Sequence, residues 1–235
     1  MEIIVLKNTD YKEKDAIVEG LTQEGPKSFL VRGLKNPKSS NIALANNLVF
    51  ADVEIEEGKY KYPIIKKSKV LALPYHLDDD VEKYGIASLL GEITLFLLQE
   101  DERGAMYDFL KECVIHLDNK DVDPKSIALI YFMRALREAG SSFEVNECMR
   151  CGGKKDIVAF SFSEGGFICR NCLSKEDDLS FDLPMMLSIR KAVIAEEIKT
   201  IPDLNKDGFI KILKLLRSYT LDYLGVKITS IDLIL

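Results

Sequence analysis

Four of the five cysteines fall in two close pairs, Cys148-Met149-Arg150-Cys151 and Cys169-Arg170-Asn171-Cys172, separated by seventeen residues. Four thiolates complete a tetrahedral shell around Zn²⁺, and a two-residue gap lets one tight turn offer both sulfurs to the same ion. Glycines stand where backbone must pass close to sulfur: Gly152-Gly153 follow the first pair and Gly165-Gly166 precede the second. Between the pairs, Ile157 to Phe162 has strand propensity, and the whole matches a zinc ribbon. Two disulfides, an iron site of the rubredoxin type and the remains of a lost metal site stay open as other readings. A zinc centre of this composition is structural, because four sulfurs leave no position for water or substrate. Its ion supplies folding energy to an insertion of roughly 28 residues, too small to build its own core. Cys113 stands apart in an apolar helical segment (Phe109, Leu110, Val114, Leu117), where a buried small hydrophobe is expected.

Other chemical signals are weaker. Asp203-Leu204-Asn205-Lys206-Asp207-Gly208 opens like a calcium loop, but Lys214 stands where the bidentate glutamate is needed. A polar turn capping the last helix is expected there instead. The two histidines, His76 and His116, belong to no nucleophile motif, and no phosphate-cradling or dinucleotide-binding glycine pattern occurs. Neither cysteine pair sits in a strand–helix redox pattern. Glu196-Glu197 reads as a solvated helix face. No active-site enzyme is expected.

Charge is more informative by region than in sum. The chain has 32 Lys and Arg against 38 Asp and Glu, a net charge of −6, which excludes a uniformly basic nucleic-acid coat. From Lys27 to Lys69, however, nine cations (Lys27, Arg32, Lys35, Lys38, Lys59, Lys61, Lys66, Lys67, Lys69) face four anions (Asp52, Glu54, Glu56, Glu57). A β-barrel with such a stripe, interleaved with Tyr60 and Tyr62, can hold a phosphate backbone and stack bases.

The elements that must position these residues change character near Pro74 to Asp80. Before it, Ile3–Leu6, Ala16–Leu21, Ser28–Arg32, Leu48–Ile55 and Val70–Leu73 read as strands separated by turn residues. Within the fourth, Val49, Ala51, Val53 and Ile55 alternate with Asp52, Glu54 and Glu56, the pattern of a half-buried strand. Five strands with no crossover helix predict a small antiparallel barrel of OB or SH3-like type. After it, helices are predicted at Val81–Gln99 behind the acidic run Asp78-Asp79-Asp80, and at Ala105–Leu117 and Lys125–Ala139. Two more are predicted at Pro184–Ile198 and Gly208–Leu224, with Ile228–Leu235 a short strand or packed tail. The fold class is therefore α+β. No apolar stretch is long enough to span a membrane, and Met1-Glu2-Ile3-Ile4 lacks the basic region of a signal peptide, so a cytoplasmic protein is expected.

Barrel, helical domain and late four-cysteine insertion, in that order, resemble the RecO family of bacterial recombination mediators. The N-terminal likeness is carried by Tyr11-Lys12-Glu13-Lys14-Asp15-Ala16-Ile17-Val18, Leu21-Thr22-Gln23-Glu24-Gly25, and Val31-Arg32-Gly33-Leu34-Lys35-Asn36-Pro37-Lys38-Ser39. Its C-terminal counterpart is Asn146-Glu147-Cys148 through Cys172. The resemblance implies an OB-fold over 1–77 and a helical domain over 78–235, with a zinc ribbon inserted at 145–175. It also implies binding of single- and double-stranded DNA, annealing of complementary strands, contacts with RecR and the C-terminal tail of single-stranded DNA-binding protein, and, through them, loading of RecA. Carried over by position, the DNA-facing candidates are Lys27, Arg32, Lys35 and Lys38, joined by Lys66 and Lys67 of the basic stripe. The ligands of the single structural Zn²⁺ are Cys148, Cys151, Cys169 and Cys172. Arg134, Arg137, Arg190, Lys191, Lys211 and Lys214 are the cations from which an acidic-tail groove would be built. The competing reading is a zinc-ribbon adaptor whose barrel binds protein and no nucleic acid.

Overall fold

A computed structural model describes residues 1–57, 61–75, 81–174 and 179–235. Lys59, Tyr60, His76, the acidic run 78–80 and the expected domain boundary at 77/78 lie outside these residues.

Five strands, β1 (Glu2–Tyr11), β2 (Asp15–Thr22), β3 (Gly25–Val31), β4 (Phe50–Glu56) and β5 (Ile64–Ala72), close into a barrel in the order β1-β2-β3-β5-β4. Every pairing is antiparallel except β3 with β5. The alternation in β4 holds: Ala51 and Val53 are buried while Asp52, Glu54 and Glu56 are exposed. β5 begins six residues before its expected start, because its polar half is held by the ladder to β4 and not by an apolar period of its own.

β1 explains how the barrel is mounted. Ile3, Ile4, Val5 and Leu6 are all buried, an unbroken apolar run. Successive side chains point to opposite faces of a strand. Ile3 and Val5 fill the barrel with Val18, Phe29, Ala51 and Val53, while Ile4 and Leu6 join the core of the helical domain. Lys111 reinforces this seam by pairing with Glu2 at 2.6 Å, its ammonium 4.8 Å from the Phe50 ring centre.

The helices are α1 (Val81–Phe96), α2 (Glu100–Ala105), α3 (Tyr107–Asn119), α4 (Pro124–Glu138), α5 (Leu183–Val193) and α6 (Lys206–Leu224). α4 is buried around almost its whole circumference and forms the axis of the domain. Tyr131 on α4 meets its one polar need through Thr94 of α1, with 2.7 Å between the hydroxyls. Cys113 is fully buried as expected, and burial pushes its thiol well above the ordinary range. Asn205 caps α6 by accepting from the Gly208 N–H at 2.8 Å, and Asp203 pairs with Lys191, so the calcium-like segment is a polar capping turn. The tail is a short 3-10 turn (Ser230–Leu233) and not a strand. Glu92 of α1 fastens it, accepting from the Thr229 N–H and hydroxyl and the Ser230 N–H at 2.6–2.9 Å.

Between α4 and α5 lies a three-stranded antiparallel ribbon in the order β7-β6-β8, made of β6 (Ile157–Ser161), β7 (Gly166–Cys169) and β8 (Leu179–Ser180). Its own apolar cluster is small (Cys148, Ala159, Ile168 and Cys169). The larger attachment is aromatic: Phe143 sits edge-on to Phe160, Phe162 and Tyr219 of α6, with centroids 5.0–5.8 Å apart.

Candidate metal centre and candidate nucleic-acid interface

The four paired cysteines converge. One sulfur from each of Cys148, Cys151, Cys169 and Cys172 lies within 4.8 Å of the others, and Cys151 and Cys169 are 3.7 Å apart. A metal–sulfur bond of about 2.3 Å requires a tetrahedral edge of about 3.8 Å. All four are free thiols, and 3.7 Å is far beyond the roughly 2.05 Å of a disulfide. The residues present therefore fit a four-coordinate metal ion.

Local backbone chemistry brings the sulfurs together. In the first knuckle, the Gly152 N–H donates to the Cys148 carbonyl and the Cys148 N–H to the Gly153 carbonyl, both at 2.8 Å, with Gly152 at φ +69°. The second knuckle leaves the end of β7 in a 3-10 turn (Arg170–Cys172), and the Arg170 N–H donates to the Asp156 carbonyl at 2.9 Å. Gly166 is obligatory for a different reason: a Cβ there would lie 2.4 Å from the Glu144 carbonyl oxygen. Burial works to raise the Cys148 thiol, but the amides of Cys169, Arg150 and Cys151 outweigh it and bring the thiol down to about 6. Cys172 is pushed up to about 12 by its contacts with the Cys151 and Cys169 sulfurs. In a cluster this tight, the first thiolate makes each further ionisation costlier, and a cation at the centre removes that cost.

The six candidate cations of the barrel do not converge in the same way. Arg32 and Lys66 line one concavity of about 350 Å³ with Gly33, Asn36, Ser39, Ser40 and Asn41. Lys35 and Lys38 belong to the loop that walls it. Gly33 turns that loop at φ +63°, its N–H donating to Asp15 Oδ1 at 2.9 Å, and buried Leu34 anchors it. Buried Asn41 pins the loop to β5 by donating to the Lys66 carbonyl at 3.4 Å and accepting from the Ser68 hydroxyl at 2.9 Å. Lys66 falls in the bulge between the pairs Glu54–Lys67 and Ile55–Ile65, so no β4 residue stands directly opposite it in the ladder. Lys67 stays in that ladder opposite Glu54, 3.5 Å away. Lys27 is at the other end of β3, opposite Gly20 and paired with Glu24 at 2.5 Å, beside the helical domain where Gly25 packs on Gly104.

The basic end is also less positive than its cation count. Lys35 pairs with Asp10 at 2.7 Å and Lys66 with Glu56. These pairs are exposed, worth about 0–1 kcal/mol, and open to exchange with a phosphate. The second expected aromatic, Tyr62, is half-buried, with the Lys61 ammonium 5.2 Å from its ring centre.

The family model described as Recombination protein O N terminal matches residues 1–73, and that described as Recombination protein O C terminal matches residues 78–231. The chain belongs to the RecO family. It is 26% identical to the DNA repair protein RecO of Thermoanaerobacter sp. (strain X514) over 237 residues, covering 99% of this chain and 95% of the relative. Identity to the protein of the same name from Shouchella clausii is 29%, covering 97% and 91%. With that from Syntrophomonas wolfei it is 31%, covering 72% and 68%. Among the described residues, no helix is long and apolar enough to cross a membrane.

Two features of this RecO chain escaped the sequence reading. Arg150 lies between the cysteines yet acts as a clamp: its guanidinium holds Glu164 in a two-pronged pair at 2.5–3.1 Å and donates to the Cys172 carbonyl, joining both knuckles to the β6–β7 turn. An Arg inside a Cys-x-x-Cys pair was the available signal. The second is the β1–β2 hairpin end, whose Lys14 carbonyl accepts from the Lys35 N–H at 3.2 Å, bringing Tyr11, Lys12 and Lys14 beside the basic loop. Of the helical cations, Arg134 and Arg137 share Glu196 at 3.0 Å, Arg190 donates to Asn146 at 3.0 Å, and Lys191 holds Asp203. Lys211 and Lys214 enter no ion pair among the described residues and flank an open cavity of about 510 Å³ floored by Phe181, Met185 and Leu215.

Proposed function

We propose that this protein is a recombination mediator in DNA repair that acts by binding, with no active site of its own. Its barrel holds single- and double-stranded DNA, it anneals complementary strands, and with RecR it helps load RecA onto strands coated by single-stranded DNA-binding protein. The work takes place in the bacterial cytoplasm, at the nucleoid. The observation that carries this reading is the concavity lined by Arg32 and Lys66 at the end of the barrel, walled by the loop that carries Lys35 and Lys38. From Ile4, which packs on the helical core, to Tyr11 is roughly 24 Å along β1, so a strand of DNA meets the cations without meeting the acidic helical domain.

The metal is read as one Zn²⁺, which fits a redox-silent role and four thiolate donors and supplies folding energy to the ribbon. Lys211 and Lys214 over their apolar floor suit the acidic tail of single-stranded DNA-binding protein, and replacing both by Glu is expected to abolish binding of that tail peptide.

The test is fluorescence anisotropy of a labelled single-stranded oligonucleotide at low salt. Wild-type protein is expected to bind. The variant Arg32→Ala, Lys35→Ala, Lys38→Ala is expected to lose most affinity while its metal content and melting temperature stay unchanged. The ion pairs of Lys35 and Lys66 favour a second reading, an adaptor whose barrel binds protein. Equal affinity of wild type and triple variant would decide for it.

A further inference from the structure

The end of the β1–β2 hairpin combines a ring in water with two lysines that enter no ion pair among the described residues. Tyr11, the last residue of β1, is 40% exposed and belongs to none of the apolar clusters among the described residues. The Lys12 ammonium lies 5.4 Å from its ring centre, and Lys12 takes the left-handed turn conformation, φ +56°. Two of the acids around the turn are engaged elsewhere: Asp10 pairs with Lys35 at 2.7 Å, and Asp15 accepts from the Gly33 N–H at 2.9 Å. Glu13 is exposed between Lys12 and Lys14, which leaves these three tip residues a net charge of +1. Lys12 and Lys14 are exposed and enter no ion pair among the described residues.

Register places the ring relative to the basic loop. Ala16 is paired with Asp10 and Val31, and its side chain points into the barrel. Tyr11 is paired with Asp15, one step along, so both lie on the outer face, and the β2–β3 register carried one residue further sets Arg32 against Asp15. At about 4.8 Å between strands, the backbone at Tyr11 and that at Arg32 stand two strand spacings apart, roughly 10 Å.

We propose that the Tyr11 ring is a platform for one unpaired base of single-stranded DNA, with Lys12 and Lys14 holding the phosphates beside it. This rests on the reading of the barrel's basic end as the DNA-binding surface and adds a specificity to it. Phosphate contacts alone do not distinguish paired from unpaired strands. A base in a duplex has both faces covered by its neighbours, whereas an unpaired base can lay one face on an aromatic ring. A base sliding over Tyr11 displaces the Lys12 ammonium, which exchanges its cation–π contact for a phosphate. When complementary strands pair, the platform loses its ligand, so stacking favours capture of single strands and pairing favours their release.

The test compares a single-stranded oligonucleotide with an abasic oligonucleotide of equal length, which keeps the phosphates and lacks the bases. Tyr11→Ala is expected to weaken binding of the first roughly tenfold and leave the second unchanged, because stacking on one aromatic is worth about 1–3 kcal/mol. Tyr11→Phe, which keeps the ring, is expected to bind both like wild type. Replacing Lys12 and Lys14 by Ala is expected to weaken both ligands alike and lower the salt dependence. A Tyr11→Ala protein that binds both ligands as wild type does, or loses both equally, overturns the platform while leaving the basic end intact as a DNA surface. Wild-type protein that binds neither ligand overturns both readings.

Discussion

The metal ribbon and the basic end of the barrel are both built around a residue type with strong chemistry, and they are organised in opposite ways. In the ribbon, four sulfurs from two short knuckles meet within 4.8 Å, and each pair of sulfurs is presented by a turn of a few residues. In the barrel, cations chosen by their density along the chain are sorted by tertiary contacts: Arg32 and Lys66 meet, Lys67 is held in a charge ladder, and Lys27 faces the helices. The acids that neutralise Lys35 and Lys66, Asp10 and Glu56, come from other strands. Short-range geometry can be read from spacing, because the turn that makes it is local. An electrostatic surface cannot, because its counter-charges are remote in sequence.

Breaking the ribbon should have the largest effect. Cys148→Ser removes one of four ligands, and structural zinc in small modules contributes about 10–16 kcal/mol. The expected outcome, read by metal analysis and amide hydrogen exchange, is loss of the ion and of protection across 145–174, with the barrel strands still protected. Unchanged metal content would refute the centre. Gly166→Ala is a subtler break. A Cβ placed 2.4 Å from the Glu144 carbonyl must push the chain apart, at about 1–3 kcal/mol. Faster transfer of metal to a chelator is expected, and a wild-type release rate would show that the close approach does not matter.

The tail clamp offers a pH test that should leave both regions untouched. Burial tends to raise the Glu92 carboxyl, but hydrogen bonds from Ser230 and Thr229 outweigh it and hold the group below the ordinary glutamate range. A lowered folded value means that its stabilising contribution is complete above the unfolded range and is lost as pH falls through the folded one. Exchange protection of residues 226–235 is expected at neutral pH and to fade in acid. Glu92→Gln should lose it at neutral pH, lower the melting temperature by about 3 °C and flatten the acid response. Smallest of all, Lys27→Ala and Lys67→Ala should each leave oligonucleotide affinity within about twofold of wild type, since neither lines the concavity of Arg32 and Lys66. A large loss in either would widen the DNA surface beyond the basic loop.

The same physics accounts for what the sequence revealed of the fold. The alternation in β4 and the run through β1 were legible because each records what its two faces touch. The polar half of β5 was not, since Lys66-Lys67-Ser68-Lys69 is a strand only by its pairing with β4. The expected helix to Gln99 stops at Phe96 although Leu97 and Leu98 continue its apolar period. Gln99 and Glu102 form a capping box that starts α2, and Arg103 reaches back to the Leu95 and Leu98 carbonyls at 2.6 and 3.1 Å. The expected helix to Ile198 ends at Val193, after which irregular chain buries Ala195, Ile198 and Ile201. In the candidate sites, the four metal ligands were read directly. The basic end was read only as a stripe, without Asn41, whose hydrogen bonds to β5 give it shape.

Charge-driven binding by the basic loop is read from the slope of log affinity against log salt for a single-stranded oligonucleotide. Each phosphate neutralised on a single strand contributes about −0.7 to that slope, so three cations of the basic loop account for roughly −2. Wild-type protein is expected to show a steep slope, and the variant lacking Arg32, Lys35 and Lys38 one shallower by about that amount. A wild-type affinity indifferent to salt, or a slope the triple variant leaves unaltered, would mean that the basic loop does not hold the phosphates.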